Sequence, residues 1–112
     1  MSELKGKIDF LVLLSASNAN PNGDPLNGNR PRENYEGYGE ISDVCIKRKI
    51  RNRWQDMGQR IFVQSDDRAD DGFGSLKARA DGYAPFKEEI YNKKNANREK
   101  CIQLACEEWM DV

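Results

Sequence analysis

IDFLVLLS, residues 8–15, is the stretch from which the fold is read. Ile8, Phe10, Val12 and Leu14 fall on one face of an extended chain, and Leu11 and Leu13 on the other. Apolar residues on both faces predict a central strand covered on both sides. The apolar pattern then stops. NANPNGDPLNGNRPRENYEGYG, residues 18–39, is rich in Asn, Gly, Pro and Arg and predicts a long loop. Structureless loops longer than about 15 residues are uncommon inside domains and are either disordered or functional. The chemistry of this one is specific rather than low in complexity, which favours function. Ser42 next offers an N-cap to a helix running to about Met57, with Asp43 in its first turn and Gly58 as the stop. Ile46, Ile50, Trp54 and Met57 share one face, predicted to pack on the first strand. Lys47, Arg48 and Arg51 form a neighbouring stripe, with Lys49 and Arg53 nearer the far flank. IFVQS, residues 61–65, is short and β-prone. Strand, loop, helix, strand is the opening half of a split β-α-β arrangement, so the expected class is α+β with a ferredoxin-like core.

Beyond Ser65, SDDRADDGFGSLKARADG is acidic and glycine-rich and reads as an exposed excursion. From about Pro85 the pattern becomes helical, with Glu88, Glu89, Lys93 and Lys94 on the polar side. NKKNAN, residues 92–97, interrupts it, and Ile102, Ala105 and Trp109 return at helical spacing. The expected division is residues 1–65 and residues 66–112. The chain closes at Asp111 and Val112 without cap, glycine or tail, the expected look of a fragment. No internal repeat is found.

Composition narrows the function. The chain has 112 residues, room for one compact domain. Lys and Arg number 18 against 19 Asp and Glu, so a uniformly basic nucleic-acid coat is excluded and any phosphate binding must be local. Hydrophobic residues make up 38% and charged residues 33%, a modest apolar supply for which partner subunits would compensate. There is no histidine, which removes the usual general base, the Ser/His/Asp and Cys/His triads and most catalytic zinc sites. Cys45, Cys101 and Cys106 suit neither a zinc knuckle nor a redox pair and are expected as small buried hydrophobes. No run reaches the ~18 apolar residues of a membrane span, and no secretory signal opens the chain.

Three constellations could carry chemistry. GYGEIS, residues 37–42, precedes the basic helix. Helix-start N–H groups and the dipole attract phosphate, glycines permit close approach, and Arg30, Arg32, Lys47, Arg48 and Arg51 could neutralise further phosphates of one strand. The plain alternative is a solvated amphipathic face. A dinucleotide fingerprint fails for want of a preceding strand and a third glycine. Asn18, Asn20, Asn22, Asn27 and Asn29 could bind sugars, phosphates or base edges, but Asn-Pro and Asn-Gly are also ordinary turn formers. The same loop lacks the bidentate acid of a calcium loop. Asp66, Asp67, Asp70 and Asp71 could hold Mg²⁺, though a solvated acidic edge is the commoner reading. Tyr35, Tyr38 and Tyr83 could stack on bases.

KIDFLVLLS, NANPNGDPLNGNRPR, YEGYGEISDVCIKRKIRNR and IFVQSDDR, in that order, resemble the N-terminal part of the type I-C CRISPR Cascade backbone subunit, a RAMP-superfamily protein. The resemblance runs along essentially the whole chain, and members of the family are considerably longer. It implies an RRM-like palm, incomplete here, with a partly helical finger-like insertion. It also implies a cytoplasmic, non-catalytic subunit of antiviral defence that binds guide RNA (crRNA), presents it to target DNA, and assembles with other copies of itself and other Cascade subunits, with no cofactor, metal or membrane. By position the RNA-contacting residues would be Asn18, Asn20, Asn22, Asn29, Arg30, Arg32, Lys47, Arg48 and Arg51. The related type III subunit cuts target RNA with a metal-dependent aspartate in the loop after the first strand, where Asp24 stands here; Asp24 lies between Gly23 and Pro25, and type I complexes leave cutting to a separate nuclease-helicase.

Overall fold

The computed structural model describes residues 5–92 and 94–110. Lys93, expected on a polar helix face, and Asp111 and Val112, expected to end the chain without a cap, lie outside the described residues. The chain divides into two compact units, one through Ile41 and one from Ser42.

The first unit is organised by a small antiparallel hairpin, β1 (Gly23–Asp24) with β2 (Arg30–Pro31). Its turn is made by local polar chemistry. Asp24 Oδ1 accepts the Leu26 N–H and caps a single 3₁₀ turn, Pro25–Asn27. Gly28 (φ +61°) and Asn29 (φ +59°) then reverse the chain through the left-handed region, which Gly and Asn tolerate best. Arg32 N–H to Asn22 C=O extends the ladder, and Glu40 N–H to Arg32 C=O lays a third thread beside it. A Cβ at position 23 would collide with the Asn29 side-chain amide, so only glycine leaves that amide its room.

The strand expected at residues 8–15 is not formed. Phe10, Leu11 and Leu13 are 81–87% exposed, and no ladder among the described residues includes this segment. The second expected strand, residues 61–65, likewise enters no ladder among the described residues. A strand is a relation between neighbours: the apolar pattern specifies a segment fit for a sheet, whereas the ladder needs an adjoining strand supplying N–H and C=O groups.

The second unit is helical. α1 (Asp43–Asp56) begins and ends as its sequence dictates. Ser42 Oγ accepts the Cys45 N–H, Asp43 sits in the first turn, and Gly58 (φ +85°) follows the end. Its apolar face is partly open, with Ile46, Ile50 and Met57 exposed. α2 (Leu76–Asp81) is capped by Ser75, α3 (Ala84–Ile90) has Pro85 in its first turn, and α4 (Arg98–Glu108) is capped by Asn97. The break between α3 and α4 thus falls where the asparagines suggest. α2 lies inside the segment read as an exposed excursion, which is mostly exposed apart from Arg79.

The core of this unit is small. Ile61 is fully buried, and the Trp109 ring meets those of Phe62, Tyr83 and Phe86 edge-on at 4.9, 5.8 and 5.6 Å. Such edge-to-face aromatic contacts contribute beyond the area they bury. Tyr83 is therefore a packing residue. Two ion pairs brace this core. Arg79, 5% exposed, forks onto the Asp71 carboxylate and donates to Phe62 C=O at 2.7 Å. Glu89, expected on a polar face, is buried and accepts from Lys100 Nζ (2.9 Å) and the Asn97 N–H (3.0 Å). The cysteines are not core residues: Cys45 and Cys101 are half-buried and Cys106 is exposed.

Candidate nucleic-acid interface

Within the first unit, the hairpin gathers most of the loop residues singled out from sequence. Asn20 Nδ2 donates to Asn29 C=O at 2.8 Å, and Asn22 Nδ2 to Gly23 C=O at 3.2 Å. Part of the asparagine signal is therefore turn chemistry, with side-chain amides bracing the backbone. Asn18 adopts φ +51° and is exposed. Arg30 stands exposed on β2. Arg32, one residue past β2, points its guanidinium at Glu40, Nε to Oε2 3.0 Å, with both side chains nearly half exposed. That carboxylate holds the Arg32 proton more firmly than usual. Glu40 is the residue that sequence reasoning missed. The pair spans eight residues and is visible only once the third thread is known to lie beside β2.

Arg32 and Glu40 also border a cavity of about 310 Å³, whose apolar walls include Leu14, Ala16, Pro21 and Pro31. In the following turn, Asn34 Oδ1 accepts the N–H groups of Glu36 and Tyr38, both at 3.0 Å, and Gly37 takes φ +82°. Tyr35 and Tyr38 project outward.

In the second unit, the three helix cations have different surroundings. Lys47 is exposed, with Nζ 3.4 Å from Asp43 Oδ2 one turn earlier. Arg48 is turned to its own fold, donating from Nη1 to Val63 C=O at 2.7 Å and from Nε to Asn52 Oδ1 at 3.0 Å. Arg51 is half-buried and lines a largely apolar cavity of about 360 Å³ with Phe62, Phe86 and Trp109. The cationic stripe seen in projection thus presents Lys47 most openly. Spacing on a helix cannot show that a carbonyl 15 residues away has claimed a guanidinium.

The acidic cluster has internal partners. Asp71 is occupied by Arg79, whose hydrogen bonds, with that of the Phe73 N–H, hold its carboxyl below the usual range. Asp70 accepts from Gln55 Nε2 at 3.1 Å. Among the described residues no group of three or more Asp, Glu or Cys side chains is placed to hold a metal ion. None of the described helices is long and apolar enough to cross a membrane.

Comparison with known proteins gives two findings. The family model described as CRISPR-associated protein Cas7 matches residues 6–112. A relative from Haloferax volcanii, named CRISPR-associated protein Cas7, is 42% identical over 57 residues. That alignment covers 50% of this chain and 17% of the relative, so the chain matches a small part of that protein's length. No solved structure matches.

Proposed function

The chain belongs to the CRISPR-associated Cas7 family, and from that premise we propose that it is a guide-RNA-binding, non-catalytic part of the backbone subunit of a type I-C CRISPR interference complex. In this reading it is the N-terminal part of that subunit and works in the cytoplasm. Residues 1–65 would belong to an RRM-like palm, although residues 8–15 and 61–65 enter no ladder among the described residues, and residues 66–112 would enter a finger-like insertion. Guide RNA, other copies of the subunit and further Cascade subunits are its partners, with target DNA engaged through the guide.

One observation carries the RNA part of the proposal: a hairpin whose backbone is braced by its own asparagines and which sets Arg30 and Arg32 on neighbouring exposed positions. A near-neutral chain can bind a polyanion only through such local placement. Braced loops also lose less conformational freedom on binding than slack ones. Asp24 has a structural task in the same hairpin, capping the 3₁₀ turn, and no observation favours a cutting role for it.

The test is RNA titration with the full-length protein at several salt concentrations. Replacing Arg30 and Lys47 by Gln lowers affinity for every sequence tried and reduces the salt slope by about 0.7 for each phosphate that is no longer neutralised. Affinity and slope equal to those of the unaltered protein would remove these two residues from the interface.

A further inference from the structure

We propose that Glu40 is a built-in competitor for phosphate at Arg32, so that the Arg32–Glu40 pair is a gated phosphodiester site. This rests on the guide-RNA reading above and specifies how one position of that interface works. Three observations support it. Glu40 Oε2 lies 3.0 Å from Arg32 Nε, where a carboxylate oxygen occupies a place that a phosphate oxygen could take. The two side chains are 46% and 43% exposed, so an incoming anion can reach the guanidinium from solvent. The Glu40 backbone is tied separately from its side chain, its N–H donating to Arg32 C=O at 2.8 Å, so this bond of the hairpin does not depend on where the carboxylate sits.

The physical consequence is selectivity. A half-exposed ion pair contributes little, so a ligand needs only a small surplus to displace the acid. A lone phosphate ion engages a single guanidinium and is readily displaced again by Glu40. A strand already held at Arg30 brings its next phosphate to Arg32 at high local concentration and displaces the carboxylate. Glu40 thereby favours a continuous strand over small anions.

Full-length protein is titrated with single-stranded RNA and, separately, with inorganic phosphate. Glu40→Gln raises RNA affinity about twofold to fivefold at low salt, the range expected when an exposed pair no longer has to be opened. Glu40→Ala does the same, Glu40→Asp does not, and Glu36→Gln, an equal change of net charge nearby, has a smaller effect. The gain vanishes in the Arg32→Gln background, where there is no guanidinium to release. A gain that persists in that background, or that Glu36→Gln matches, overturns the proposal. So does unchanged RNA affinity in Glu40→Gln, or inorganic phosphate binding the unaltered protein as tightly as the strand does. If the unaltered protein binds no RNA at all, the guide-RNA reading itself is overturned, a result distinct from the others.

Discussion

Arg79 shows how much one side chain can organise. Its guanidinium is 5% exposed and uses its planar fork on both Asp71 oxygens while a third N–H satisfies Phe62 C=O. Lysine cannot reproduce that arrangement. Arg79→Ala leaves a carboxylate and a carbonyl without their partner and should cost about 2–4 kcal/mol, read from urea denaturation of the chain. Arg79→Lys should recover part of that loss. The sign of the pH dependence follows from Asp71. Its folded pKa is depressed, first by the Arg79 hydrogen bond, so its contribution is complete above the unfolded value of about 3.9 and disappears as pH falls through the folded value. The gap between the unaltered protein and Arg79→Ala should therefore stay constant near neutrality and narrow below about pH 4. A gap independent of pH down to acid unfolding would show that packing, not charge, is what Arg79 supplies.

Individual elements are legible in the sequence wherever their signals are local. α1 follows from Ser42, Asp43 and Gly58, and the structure uses all three. The break before α4 follows from the asparagines, one of which, Asn97, is its cap. The hairpin whose turn Asp24, Gly28 and Asn29 make reads from sequence only as part of a long loop, because its two strands are two residues each and carry no apolar alternation to announce them. What fails is non-local. Residues 8–15 and 61–65 have strand composition but join no ladder among the described residues, α2 is hidden in a polar segment, and the burial of Glu89 depends on Lys100, on the next helix. The candidate site follows the same division: Asn20 and Arg30 can be named from sequence, whereas the partner of Arg32 and the diversion of Arg48 to Val63 cannot. The cap offers a direct test at this scale. Ser42→Ala removes the acceptor for the Cys45 N–H and should cost about 1 kcal/mol, while Ser42→Asp, an equal capper, should cost almost nothing. Circular dichroism through a urea titration reads both, and equal losses would mean that bulk at residue 42 matters and the hydrogen bond does not.

For the molecule as a whole, the two units differ in how they treat apolar residues. The unit from Ser42 surrounds Ile61 and gathers three rings on Trp109, whereas the unit through Ile41 leaves Ile8, Phe10, Leu11, Val12, Leu13 and Leu14 all 59–87% exposed. Seven consecutive positions, residues 8–14, include only Asp9 as a charge. High β-propensity, low charge and an absence of proline are what make a segment join strands of other molecules. Exposure on this scale also exceeds the scattered surface leucines of ordinary monomers. The 112-residue chain on its own should therefore self-associate in a concentration-dependent way, seen as rising mass in size-exclusion chromatography with light scattering. Leu11→Glu with Leu13→Glu places two like charges on one face of the segment and should return it to monomer. The helical signal of the second unit should be untouched, because neither residue belongs to it. If the doubly substituted chain still associates, the contact lies elsewhere, and the exposed faces of Ile46 and Ile50 on α1 become the next residues to charge.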